Sequence, residues 1–79
     1  MRRDKLLEKM RNNPRDDWRI ADVEKLARRY GFSISRPGGG GSHVTLRHDS
    51  GSKLTIPDHR PIRPVYIRRL VKMIDQLEV

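Results

Sequence analysis

The sequence predicts an α+β domain: a three-stranded antiparallel sheet with helices on one face, in the order α-α-β-β-β-α. Three observations predict it. Apolar residues recur at helical spacing in two segments before residue 31 and in a third after residue 63. Between them, three short runs alternate apolar and polar residues with the period of a strand. Glycine and proline stand at the boundaries.

Residues 4 to 13 place Leu6, Leu7 and Met10 at helical spacing, and Asn12-Asn13-Pro14 closes the segment. A second helix runs from about Ile20 to Tyr30, with Val23, Leu26, Ala27 and Tyr30 as its apolar stripe. Gly31 ends it at the position where positive φ costs glycine little, and Arg28 and Arg29 sit favourably against the helix dipole. Trp18 precedes this helix and is expected to pack across its start. Phe32-Ser33-Ile34-Ser35 alternates as a half-buried strand before Pro37 and Gly38 to Gly41 break the chain. His43 to His48 alternates again, Asp49-Ser50-Gly51-Ser52 has turn composition, and Lys53-Leu54-Thr55-Ile56 completes a hairpin that Pro57 stops. Residues 58 to 63 form a loop rich in Pro and Arg. Pro64 suits the first position of a last helix, where its missing N–H is not needed. Ile67, Leu70, Val71, Ile74 and Leu77 give that helix its stripe.

The 79 residues suffice for one compact domain. A domain this small buries only roughly 60% of its unfolded surface, so its stability is marginal. The absence of cysteine removes disulfides and thiolate metal sites and suits a reducing compartment. No apolar run approaches the roughly 20 residues that span a bilayer, and no apolar stretch follows the basic N-terminus as in a signal peptide. The expectation is a cytoplasmic chain with no membrane contact.

Lys and Arg total 18 against 10 acids, a formal net charge of +8. Such a balance points to a polyanion, usually nucleic acid, and otherwise to an acidic protein or membrane, or to a basic but idle surface. The glycine run lacks the Gly-Lys-Ser/Thr ending of a phosphate loop and leads into a strand. Asp16, Asp17, Asp22 and Glu24 cluster where acids favour a helix N-terminus. No carboxylate pair accompanies the histidines at ligand spacing, so no metal or other cofactor is expected.

Strand parity sorts the histidines. Val44, Leu46, Leu54 and Ile56 must face the helices, which forces His43, Thr45 and Arg47 onto the opposite face with Lys53, Thr55, Ser33 and Ser35. His43 is then either a solvated surface histidine or a proton-transfer group, for which its ordinary pKa near neutrality is suited. RNA carries its own nucleophile, the 2′-OH, so one group to accept that proton and another to protonate the leaving oxygen suffice. His59, just beyond Pro57, is either that second group or a loop-packing residue. His48 falls on the core side near a turn and reads as structural.

Gly41-Ser42-His43, an alternating strand, and Leu54-Thr55-Ile56-Pro57-Asp58-His59 before a C-terminal helix together resemble the HicA family of toxin–antitoxin systems. The helix ending in Gly31-Phe32 also matches the family's opening, and the likeness covers roughly residues 20 to 79. It implies a double-stranded-RNA-binding-domain-like fold that cleaves mRNA without a metal and is neutralised by a HicB-like antitoxin covering the active site. The family's essential histidine falls on His43, and the histidine after its Ile-Pro pair falls on His59. Residues 1–19 would be an N-terminal helical extension and connector, and residues 20–79 the RNA-cleaving domain. The chain departs from the pattern in three ways. Val44 stands where many relatives have a second histidine, the N-terminal helix is additional, and the glycine run is longer than usual.

The sequence therefore nominates His43 and His59 as catalytic. Arg36, Gly41, Ser42, Thr45, Arg47 and Lys53 are the nominated RNA contacts, with Arg36, Arg47 and Lys53 holding the backbone and stabilising charge at the scissile phosphate. Two rivals stand beside this endoribonuclease: a non-catalytic RNA-binding module of the same fold, and an interaction domain for an acidic protein.

Overall fold

The computed structural model describes residues 4–36 and 42–77. Helices α1 (Lys5–Asn12) and α2 (Ile20–Arg29) precede strands β1 (Ser33–Ser35), β2 (His43–Arg47) and β3 (Lys53–Pro57), and helix α3 (Pro64–Leu77) closes the chain. The strands form one antiparallel sheet in the order β1-β2-β3. This is the predicted α+β architecture, and α2-β1-β2-β3-α3 is the order that the family resemblance implied. Among the described residues, no helix is long and apolar enough to cross a membrane.

Local chemistry explains each boundary. Asp4 caps α1, its Oδ1 accepting the backbone N–H of Leu6 at 3.0 Å and of Leu7 at 3.3 Å. The same carboxylate accepts Nη1 of Arg29 at 3.0 Å and so ties the start of α1 to the end of α2. The Arg19 N–H at the start of α2 donates to Oδ2 of Asp22 at 2.9 Å. At its other end Phe32 N–H returns to the Ala27 carbonyl and Gly31 N–H to that of Arg28. That is a Schellman closure, and it needs the positive φ of 84° that Gly31 adopts. The hairpin closes the same way: Gly51 takes φ 99°, and its N–H donates to the His48 carbonyl at 2.9 Å.

One apolar core joins all the elements. It runs from Leu7 and Met10 of α1 through Val23, Leu26 and Ala27 of α2 to Val44, Leu46, Leu54 and Ile56 of the sheet. Ile67, Leu70, Val71 and Ile74 of α3 complete it. No polar or charged residue is buried among the described residues. α2 and α3 pack on the sheet, whereas α1 is seated mainly against α3. The N-terminal helix is thus an outer layer over α3.

The connector does more than lead into α2. Trp18 is 7% exposed, and its indole Nε1 donates to the Asn13 carbonyl at 2.7 Å. Its own carbonyl accepts the N–H of fully buried Ile62 at 2.7 Å. Trp18 therefore clips the connector to the loop that precedes α3. Nearby, two 3.0 Å bonds from Arg19 lower the Asp17 carboxyl below its ordinary pKa.

Candidate active site

The register of the sheet sets the site. On the face away from the helices, His43 lies opposite Pro57, Thr45 lies between Ser35 and Thr55, and Arg47 lies between Ser33 and Lys53. Residues directly opposite in an antiparallel pair share a face, so these are three successive rungs of one polar surface. The core side of the same strands is buried at Val44, Leu46, Leu54 and Ile56, as parity requires. The two threonine hydroxyls meet across the strands at 3.2 Å.

His43 is exposed, and among the described residues neither ring nitrogen has a hydrogen-bond partner. His59 is also exposed, but its Nδ1 lies 3.2 Å from the Pro61 carbonyl. A carbonyl only accepts, so Nδ1 donates in this contact and Nε2 is not engaged by it. The backbone ties His59 to the His43 end of the sheet, because the Asp58 N–H donates to the Ser42 carbonyl. His48 has the opposite arrangement. Its Nδ1 accepts the Ser50 N–H at 3.0 Å, and its ring rests 5.1 Å from that of Phe32. It braces the turn, as its core-side parity predicted.

The nominated RNA contacts divide by position. Thr45 is on the His43 face, and exposed Ser42 adjoins the histidine in the chain. Gly41 lies outside the described residues, as does the rest of the glycine run. Arg47 and Lys53 are on the His43 face and, among the described residues, carry no ion pair. However, Arg47 is four residues along an extended strand from His43, roughly 13 Å away. These two cations therefore stand at the far end of the hairpin from His43.

Arg36 departs from the sequence reading more sharply. It continues β1 on the parity of Ile34, and its guanidinium is paired with Glu24 of α2 and, at 3.8 Å, with Asp58. Both contacts turn it toward the helix side and neutralise it. The polar face does not receive its charge.

Two residues that the sequence did not nominate stand beside His59. Pro57, His59, Arg63 and Tyr66 line a small cleft of about 170 Å³ beside the end of β3. Arg63 immediately precedes α3 and Tyr66 lies in its first turn, and only the return of the loop across the sheet end brings them to Pro57. No local spacing in the sequence signals that contact. A wider hollow between α1 and α3, lined by Met10, Arg11, Arg68, Val71, Lys72 and Asp75, holds no histidine. Among the described residues, no three His, Cys, Asp or Glu side chains are grouped as a metal site.

The chain is a basic α+β domain that sets an exposed histidine on a polar sheet face. The model of one family, described as the HicA toxin of bacterial toxin–antitoxin systems, matches residues 20–78. The chain belongs to this family and is a toxin-type component whose system includes an antitoxin partner. α1 and Trp18 lie outside the matched segment. Searches of curated proteins and of solved structures returned no match.

Proposed function

We propose that this toxin is a metal-independent endoribonuclease that cuts mRNA, arrests translation in the cytoplasm and is neutralised by a HicB-like antitoxin seated over the His43 face. The observation that carries the reading is the pair of exposed imidazoles that β2 and the loop after β3 bring to one end of the sheet. Among the described residues His43 has no hydrogen-bond partner, and His59 is held through Nδ1 alone. One neutral imidazole takes the proton of the 2′-OH as its oxygen attacks the adjacent phosphorus. The other, protonated, delivers its proton to the departing 5′-oxygen as the P–O bond breaks. The products are a 2′,3′-cyclic phosphate and a 5′-hydroxyl, and no redox partner is required. Arg47, Lys53, Thr45 and Ser42 steady the flanking backbone.

The test is His43→Ala, which removes an exposed side chain without hydrogen-bond partners and so leaves the fold intact. Purified His43→Ala should lose RNA cleavage by at least about 10²-fold, in buffer with EDTA, while circular dichroism and antitoxin binding are unchanged. Undiminished cleavage would overturn the assignment. RNA binding by the wild-type chain without any cleavage would favour the non-catalytic module.

A further inference from the structure

We propose that the cleft of Pro57, His59, Arg63 and Tyr66 is a binding site for one unpaired ribonucleotide, with its base against Tyr66 and its phosphate at Arg63. The proposal rests on the RNA-directed reading of the His43 face and assigns that face a substrate class, single-stranded RNA.

The walls of the cleft supply the chemistry a nucleotide needs. Tyr66 and Pro57 are flat and half-buried, a surface on which a base can stack, and stacking tolerates any base because each has a π-face. Arg63 offers a planar fork to phosphate. Unlike Arg11, Arg19, Arg29 and Arg36, which each hold a carboxylate, Arg63 has no acid partner among the described residues. It is therefore an available cation at the His43 end, where Arg36 is neutralised and Arg47 and Lys53 are too distant.

Size limits the occupant. Small-molecule sites usually measure about 300–1,000 Å³, and this cleft, at about 170 Å³, accommodates a single planar group. The walls are also held in place. Tyr66 packs against the core, and the Arg69 guanidinium sits 5.9 Å from its ring centroid. The Arg63 carbonyl accepts the N–H of Tyr66 at 3.0 Å, and the His59 ring is bonded to Pro61.

The position links the cleft to the reaction. Pro57 is the cross-strand neighbour of His43, so a nucleotide in the cleft has its phosphodiester beside the two imidazoles. A base within a duplex has both faces covered by its neighbours and cannot enter, whereas an unstacked base can.

The test measures binding separately from cleavage. In the His43→Ala background, where the RNA survives, a labelled single-stranded oligoribonucleotide of about ten nucleotides and its duplex are titrated by fluorescence anisotropy. Tyr66→Leu keeps apolar bulk on α3 but removes the aromatic face. It should weaken the single strand about tenfold while duplex binding changes less than about twofold, and Tyr66→Phe should bind both as the parent does. Arg63→Gln should lower the slope of log affinity against log salt for the single strand by about 0.7, the loss of one phosphate contact. Single-strand binding by Tyr66→Leu equal to the parent, with an unchanged circular dichroism spectrum, overturns the proposal, as does an equal loss for both probes. If the wild-type chain cuts RNA yet Tyr66→Leu changes nothing, the endoribonuclease reading stands and the cleft assignment falls. If Tyr66→Leu discriminates but no cleavage occurs, the reverse holds.

Discussion

The three histidines occupy three different environments, and each environment predicts a different mutant. Among the described residues His43 has no hydrogen-bond partner, His59 donates from Nδ1, and His48 accepts at Nδ1. His59→Ala should lower the cleavage rate about 10²- to 10⁴-fold, the usual contribution of a general acid or base, with little change in melting temperature, since the residue is exposed. His48→Ala should do the opposite. It removes the acceptor for the Ser50 N–H and the ring against Phe32, at a cost of about 1–2 kcal/mol, while the specific cleavage rate of the folded protein is retained. Urea denaturation and a single-turnover cleavage assay on the same preparations separate the two. Gly51→Ala meets open space but not an allowed backbone, and the positive φ alone should cost about 1 kcal/mol in the same denaturation measurement.

At the scale of elements, the β-hairpin carries the His43 face and the loop from β3 to α3 carries the His59 imidazole. In the proposed function, cations at the far end of the hairpin serve as phosphate contacts rather than in the chemistry. The double variant Arg47→Ala/Lys53→Ala should therefore weaken RNA binding uniformly across sequences. Its salt slope should fall by about 1.4, two single-strand phosphate contacts, and single-turnover cleavage at saturating protein should stay near the parent rate. Parity makes this face legible in the sequence itself, because alternation of Val44, Leu46, Leu54 and Ile56 dictates where Thr45, Arg47 and Lys53 point. Parity also assigns Arg36 to the helix side once β1 is extended by one residue. Charge alone places it on the wrong face.

For the whole molecule, the extension before residue 20 is part of the core. Leu7, Met10 and Trp18 are buried with α3, and Trp18 holds Ile62 in the loop that bears His59 and Arg63. A chain beginning at residue 20 retains the full family-matched segment but exposes the apolar face of α3 and frees that loop. With a marginal stability of about 5–15 kcal/mol for a whole domain, loss of three large core side chains, each worth about 2–5 kcal/mol, should abolish cooperative thermal unfolding. Circular dichroism melting of the truncated chain checks this. A cooperative transition near that of the full chain would show that α1 is dispensable for folding.

The amino-acid sequence alone determined the element order, the three helix stripes, the glycine at the Schellman closure and the exposed side of His43. Each depends on residues within a turn of helix or along one strand, where spacing dictates which side chains share a face. Tertiary structure decided what depends on distant segments meeting. The connector closes on the loop through Trp18 and Ile62, Arg36 is paired with Glu24 and Asp58, and Arg63 of the loop and Tyr66 of α3 reach Pro57, the cross-strand neighbour of His43. Those contacts join segments far apart in the chain, which only the packing of the whole core brings together and no local repeat encodes.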